Sequence, residues 1–332
     1  MQVAVVGLGL IGGSLALRCV ARGCAIVGYD DYAATRLAAA QHFPVADNLP
    51  DVVADADIIV LAVPLKAMAT TAQALAAAAA LGKVKPKAII TDVGSVKAPV
   101  RAALDDAGLG AQYIGLHPMA GNEHSGFGAA DSMLLVGATW ALTTRSAEDA
   151  VNPETPYPGV YATEPNNFRH SSINSIASAN EYCLSAARER SDRRARNLKN
   201  EMIRWVTDTF DANVIELTEA EHDQAQALIS GLPHVFAVEL LNLLAAAPSS
   251  GDNRPGAINF REVAGQMAAG SFKDGTRVAH TDPARTMALI AENAPNIVPL
   301  LHQAAADLTT LANQLASNQN VSAFFHQADQ LR

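Results

Sequence analysis

Residues Gly7-Leu8-Gly9-Leu10-Ile11-Gly12 have the spacing GxGxxG. Gly7 permits a tight turn, Gly9 lets backbone approach a pyrophosphate, and Gly12 permits close packing of a helix on a sheet. Leu10 and Ile11 stand where that helix opens, with free N–H groups and the positive end of its dipole turned toward an anion. Asp30 follows Gly12 by eighteen residues and ends the next strand pattern. Its carboxylate is placed to accept hydrogen bonds from a ribose 2′-hydroxyl and would repel a 2′-phosphate. This favours NAD over NADP, with Arg36 as the feature that speaks against it.

Three further segments could carry chemistry. Leu61-Ala62-Val63-Pro64 ends a strand; Pro64 either turns the chain over a cofactor or merely stops the strand. Thr91-Asp92-Val93-Gly94-Ser95-Val96-Lys97 passes from a strand into a helix. Ser95 is either a helix cap or a hydroxyl reaching the reaction centre, because ligands sit at strand C-termini in doubly wound sheets. Gly115-Leu116-His117-Pro118 places a histidine at a strand end, stiffened by a proline. An imidazole titrates near working pH, which suits a general base.

The elements that must position these residues alternate. Strands are expected at Gln2–Val6, Ala25–Tyr29, Asp57–Val63, Ala88–Asp92, Tyr113–Leu116 and Ala138–Thr143. Helices are expected at Ile11–Arg22, Ala33–His42, Lys66–Leu81 and Val96–Ala107. This order reads as an α/β, doubly wound, Rossmann-type dinucleotide-binding domain. It spans residues 1–217, with an insertion at about 146–196 that holds four prolines and the charged run Arg188–Arg196. That run is a solvated helix face or a basic strip guiding an anionic substrate. A helix at Leu198–Phe210 and a strand at Asn213–Leu217 close the sheet.

From 218 to 332 only helical periodicity is visible. Helices are expected at 219–230, 233–247, 257–269, 283–291, 294–317 and 321–331. Thr218 and Glu221 have capping-box spacing. Glu221-His222-Asp223 resembles a metal triad only superficially, because consecutive positions do not share a helix face; a structural or supporting role is the expectation.

Composition agrees with a folded α/β chain. The 332 residues carry 24 Lys+Arg against 33 Asp+Glu, a net charge of −9, which argues against nucleic acid or an anionic membrane as partner. Hydrophobic residues are 49% and charged residues 17%, ample for a core and too apolar for disorder. The three cysteines have no CxxC spacing, so neither a disulfide framework nor a thiolate metal site is expected. The N-terminus has no signal-type pattern, and a cytoplasmic location is expected.

Several segments in series resemble the prephenate/arogenate dehydrogenase family of tyrosine biosynthesis. They are VVGLGLIGGSLA, DVGSVK, HPMAGNEHSG, LPHVFA and FKDGTRVAHTDP. The resemblance implies oxidation of a cyclohexadienol: hydride leaves ring C4 for NAD⁺, the C4 hydroxyl loses its proton, and CO₂ leaves C1. It implies that His117 is the base and that Ser95 orients the hydroxyl or the histidine. It implies that Arg277 holds a substrate carboxylate, that His234 lines the pocket, and that Glu123 lies near the substrate's side chain. It further implies a homodimer formed by the helical domain, in line with long apolar faces at Val235–Ala247 and Ile297–Leu315. No metal is expected, since gaining an aromatic ring drives the decarboxylation.

Two departures fall on residues expected near the substrate's tail. Gly231 stands where the family often has a histidine. Asp282-Pro283 is followed by Ala284, Arg285 and Thr286, where the family often has a tryptophan at the third place. Prephenate and arogenate, which differ in that tail, both remain open as substrate. More distant readings are a β-hydroxyacid dehydrogenase, which lacks support because the segment just after Pro233 supplies His234 and no lysine, and a non-catalytic dinucleotide-binding protein.

Overall fold

A computed structural model describes residues 1–122, 124–145, 193, 195–247 and 259–329. Glu123 and nearly all of the 146–196 insertion lie outside these residues.

The first half is a β/α alternation. Strands β1 (Gln2–Val6), β2 (Ala25–Tyr29), β3 (Ile58–Leu61) and β4 (Ile89–Asp92) form a parallel sheet in the order β2-β1-β3-β4. A parallel bridge from Ile90 to Tyr113 leads on to β5 (Gly115–Pro118). There the pattern changes: β6 (Thr139–Thr144) runs antiparallel to β5, and β7 (Asn213–Thr218) runs parallel to β6. The sheet is therefore mixed beyond β5, where a direct loop replaces a crossover helix.

Strand side chains alternate between two cores. Val3, Val5, Ile58 and Val60 face one; Ala4, Val6, Ile59 and Leu61 face the other. Both faces are covered, so β3 is apolar throughout and fully buried. Helix α1 (Leu10–Ala21) and the helix over 195–210, here α6, cover the first face. On α6 the buried side chains are Leu198, Met202, Trp205, Val206, Thr209 and Phe210, one stripe at helical spacing. The second face is covered by α3 (Leu49–Val53), α4 (Leu65–Ala80) and α5 (Ala98–Asp106). The remaining helix of this half is α2 (Ala33–Ala39).

The second half is helical among the described residues: α7 (Glu219–Gln226), α8 (Leu232–Ala246), α9 (Phe260–Met267), α10 (Gly270–Thr276), α11 (Pro283–Glu292), α12 (Ala294–Ala316) and α13 (Ser322–Asp329). The capping box forms as expected, with Thr218 Oγ1 accepting from the Glu221 N–H and Glu221 Oε2 accepting from the Thr218 N–H.

Two elements escape the sequence pattern. Helix α10 has the sequence GSFKDGT, whose two glycines weaken helical propensity; it is held by packing on α8. Helix α3 is a single short turn, capped by Asn48, which accepts from the Asp51 N–H at 3.0 Å. A third difference concerns residues 231–232, expected as a break between helices 219–230 and 233–247. Instead a π-helical turn, Ala227–Gly231, joins α7 to α8 without a break. The wider turn accommodates the missing N–H of Pro233 and the ring that would otherwise crowd the preceding carbonyl.

Candidate active site

The C-terminal ends of β1, β3, β4 and β5 lie along one edge of the sheet, and the glycine turn, Val63–Pro64, Ser95 and His117 lie at or next to those ends. Order reverses at β1, so the crevice between β1 and β3 is the switch point at which doubly wound sheets bind ligands.

The glycine turn has the geometry its sequence requires. Gly7 has φ +95°, and a Cβ there would lie 2.6 Å from the Ala62 carbonyl oxygen at the end of β3. A Cβ on Gly12 would lie 2.0 Å from the Gly7 carbonyl oxygen. A Cβ on Gly9 would meet nothing within 4 Å, so this face of the turn is open to an incoming phosphate. Leu10 and Ile11 begin α1, and Gly9 is its N-cap. Asp30 stands beside the turn. Its Oδ2 accepts from the Leu8 N–H at 2.8 Å, and its Oδ1 accepts from the Tyr32 N–H at 2.9 Å. Those bonds fix the carboxylate and leave each oxygen a lone pair for a ribose hydroxyl. Arg36 bonds to the Asp30 and Asp31 carbonyls rather than to the carboxylate. Val63 is half-buried and Pro64 exposed at the start of α4. These residues fit a dinucleotide.

His117 is inside β5, one residue before its end, paired with Ala141. It is buried, with 9% of its surface exposed. Its Nδ1 lies 2.9 Å from His222 Nε2, and His222 Nδ1 lies 2.8 Å from Asp223 Oδ1. The two rings meet nearly edge to face, with centroids 5.2 Å apart. The carboxylate of Asp223 also accepts from the backbone N–H of Lys97 at 2.8 Å and of Ala98 at 2.9 Å. It thus supplies the N-terminal cap of α5. Of the two readings of Ser95, the helix cap is not the one that forms: among the described residues its hydroxyl makes no hydrogen bond. Ser95 is half-buried two residues before Lys97, with its hydroxyl uncommitted.

Beneath the histidines lies a second buried cluster. Lys97 Nζ bonds to Asp92 Oδ2 at 2.5 Å and to the Leu116 carbonyl at 2.7 Å; Tyr113 donates to Asp92 Oδ1 at 2.6 Å. Burial pulls Lys97 below the usual lysine range, with Asp92 working against it. Burial, reinforced by the Asp92 carboxylate, holds Tyr113 well above the usual tyrosine range, so it remains a donor. His117 is pushed well below the ordinary histidine value, first by burial and then by the charges of Lys97, His222 and Arg285. At neutral pH it is an uncharged base.

The other expected site residues belong to the helical half. His234 lies in the first turn of α8, half-buried, with Nδ1 2.8 Å from the Ser230 carbonyl. Arg277 is exposed on the turn that follows α10, where that turn packs against α8. Among the described residues neither is hydrogen-bonded to His117. Glu123 lies outside the described residues. Gly231 does not face a pocket: a Cβ there would lie 2.8 Å from Ile297 Cδ1, in the small core of the helical half. Its smallness serves packing, not the substrate's tail.

Sequence reasoning gave no chemical part to His222, Asp223 and Lys97. A signal was present: the capping box fixes where α7 starts, and an α7 buried on two sides hides adjacent positions. Glu221 stays exposed at the cap, while His222 and Asp223 turn inward.

Two matches with known proteins decide the family. The nucleotide-binding domain of prephenate dehydrogenase matches residues 14–154, and the dimerization domain of prephenate dehydrogenase matches residues 218–327. The chain belongs to the prephenate dehydrogenase family. It is 29% identical to the cyclohexadienyl dehydrogenase of Zymomonas mobilis over 95% of this chain and 89% of that one. The structure of Synechocystis arogenate dehydrogenase is similar at a TM-score of 0.67 and 26% identity, covering 99% of this chain and 97% of that one. A prephenate dehydrogenase from Aquifex aeolicus, solved with hydroxyphenyl propionate and NAD⁺, shares the fold at a TM-score of 0.71 and 20% identity, covering 100% and 97%. The chain is an NAD-dependent oxidoreductase of this family.

Proposed function

We propose that this dehydrogenase oxidises and decarboxylates prephenate to 4-hydroxyphenylpyruvate. The observation that carries the reading is His117: buried near the C-terminal end of β5, held by that burial below the ordinary histidine value, with its Nε2 free of hydrogen bonds among the described residues. NAD⁺, when bound, accepts the hydride from ring C4. Gly9 and the start of α1 would hold its pyrophosphate, and Asp30 its ribose. His117 Nε2 takes the proton of the C4 hydroxyl, and Ser95 is free to orient that hydroxyl. Arg277 pairs with the ring carboxylate, its planar fork matching two oxygens. His234 is assigned to the pocket wall from the helical half, and Glu123 to the substrate's side-chain end. Once the C4 carbonyl has formed, CO₂ departs as the ring becomes aromatic, so the protein's work is placement, one proton transfer and exclusion of water.

Arogenate is the second reading, supported by the likeness to the Synechocystis enzyme. The test is NAD⁺ reduction assayed side by side with both substrates. A higher kcat/KM with prephenate is expected; the reverse ranking would replace this reading with the second.

We also place the division of labour at Thr218, with 1–217 holding the cofactor and 218–332 the substrate and a second copy of the chain. Support comes from the apolar surface of the helical half. The stretch Glu219–Ala246 is long and apolar enough to cross a bilayer, and only 22% of its most apolar window is buried. Its N-terminal end is fixed in protein through His222 and Asp223, so its exposed Leu228, Ile229, Phe236, Leu240 and Leu243 suit a partner helix.

A further inference from the structure

Nothing in the reading above requires His222 or Asp223, yet their exposures are 1% and 2% and they are bonded in series to the base. The direction of each bond follows from one constraint. An ionised carboxylate only accepts hydrogen bonds, and both oxygens of Asp223 already accept a backbone N–H from the start of α5. His222 Nδ1 must therefore donate to Asp223 Oδ1. In a neutral ring this leaves His222 Nε2 with a lone pair. That lone pair faces His117 Nδ1 at 2.9 Å, so His117 Nδ1 donates. The lone pair of His117 is then forced onto Nε2, the nitrogen left without a partner among the described residues.

We propose that His222 and Asp223 are positioning residues that lock His117 in its Nδ1–H tautomer and carry away the charge it acquires. This deepens the reading of His117 as the base and rests on it. The substrate hydroxyl proton bonds to His117 Nε2 while the Nδ1 proton of His117 passes to His222 Nε2. His117 ends neutral, as the Nε2–H tautomer. His222 ends as an imidazolium, with its Nδ1–H still on the Asp223 carboxylate. One proton enters the pair and none leaves it.

The surroundings give the relay its purpose. Burial is the first thing that opposes a positive charge on His117, and the cations Lys97, at the head of α5, and Arg285, of α11, add to it. The nearby anions are committed elsewhere: Asp92 of β4 to Lys97 and Tyr113, and Glu219 of α7 to Arg101. Asp223 is the carboxylate in line with the base, and Asn293, next to α12, holds its backbone by donating to the Asp223 carbonyl at 2.8 Å.

Two variants separate holding from relaying. In His222→Gln the side-chain amide can still accept from His117 and donate toward Asp223, but it cannot take a proton. In His222→Leu both functions are lost. Imidazole ¹⁵N shifts of the NAD⁺-loaded protein should show His117 as Nδ1–H in the native chain and in His222→Gln. In His222→Leu the Nε2–H form should dominate. Loss of the relay in His222→Gln should lower kcat by at least about tenfold with KM little changed, a modest share of a general base's usual effect. A native His117 in the Nε2–H form overturns the proposal, and so does a His222→Gln enzyme with native kcat. If His222→Leu does not fold, the native and glutamine spectra still decide. The spectra need no substrate, so a chain that oxidised neither prephenate nor arogenate but showed the locked tautomer would sink the functional reading and leave the positioning intact.

Discussion

The backbone N–H of Lys97 is capped by the carboxylate of Asp223, 126 residues further along the chain, at 2.8 Å. A helix that carries the Ser95–Lys97 segment at its head is thus finished by a side chain from the other half of the molecule. Docking of α7 completes α5 and seats His222 on His117 in the same movement. Removing the carboxylate should therefore cost stability as well as activity. Asp223→Ala loses an N-cap, typically about 1–2 kcal/mol, and strands a buried N–H of His222, about 1–3 kcal/mol more. Thermal melts should show a Tm several degrees below native; an unchanged Tm would mean that α5 does not depend on this cap.

His117→Asn keeps the bulk of the ring and removes the proton acceptor. Loss of general-base catalysis should lower kcat by roughly 10²–10⁴-fold. The same residue gives stability a pH dependence. In the unfolded chain the ring titrates near its ordinary value of 6.5, whereas folding pushes it well below. As pH falls through that ordinary value, the unfolded chain binds a proton that the folded chain refuses. Stability therefore declines below about pH 6.5 and stops declining once the folded ring also titrates. The Tm of His117→Asn should fall less on acidification than that of the native protein; parallel curves would show that this histidine is not the source.

The parts that speak in the sequence are those with a local cause. GxGxxG, the alternating apolar strands and the Thr218–Glu221 cap each act within a few residues, and each forms as expected. The parts that stay silent depend on tertiary contact. His222 and Asp223 are ordinary helix residues until α7 is laid against β5 and α5. Gly231 looked like a vacancy in a pocket because its neighbour Ile297, 66 positions on, cannot be placed from spacing alone. β6 turns antiparallel because the connection over 119–138 forms only a short 3-10 turn, Phe127–Ala129, and no crossover helix, a matter of what the loop folds into rather than of strand composition.

Cofactor choice should follow Asp30, whose carboxylate would face a 2′-phosphate. Arg36 is close by but engaged with the Asp30 and Asp31 carbonyls. The native enzyme should have a higher kcat/KM with NAD⁺ than with NADP⁺. Asp30→Ala should narrow the gap, by weakening NAD⁺ and relieving repulsion of NADP⁺. Kinetics with both cofactors check this; an NADP⁺ preference in the native enzyme would assign the carboxylate another role.

Arg285 is exposed and has no ion pair among the described residues, yet its charge acts on His117. Removing that charge in Arg285→Gln should raise the pKa of His117. The acid limb of kcat/KM against pH should then move to higher pH. If the guanidinium also meets a substrate carboxylate at the pocket mouth, KM should rise by up to about fivefold, the scale of an exposed ion pair. A limb that stayed in place would mean that Arg285 points away from the histidine in solution.

Gly231 tests whether the helical half was read correctly. It lies at the end of the π turn with an ordinary helical backbone, so no strain in φ demands glycine. What demands it is Ile297 of α12, buried to 1% exposure against Ala227 and Leu232. A methyl group at 231 must displace that side chain from one of the few buried contacts of this half. Overpacking of this kind costs about 1–3 kcal/mol. Gly231→Ala should thus lower the Tm while leaving the ratio of prephenate to arogenate turnover unchanged. A pocket-lining position would behave in the opposite way, altering the ratio and sparing the Tm. Double substitution distinguishes the two further: Gly231→Ala with Ile297→Val makes room for the methyl group and should recover part of the lost stability.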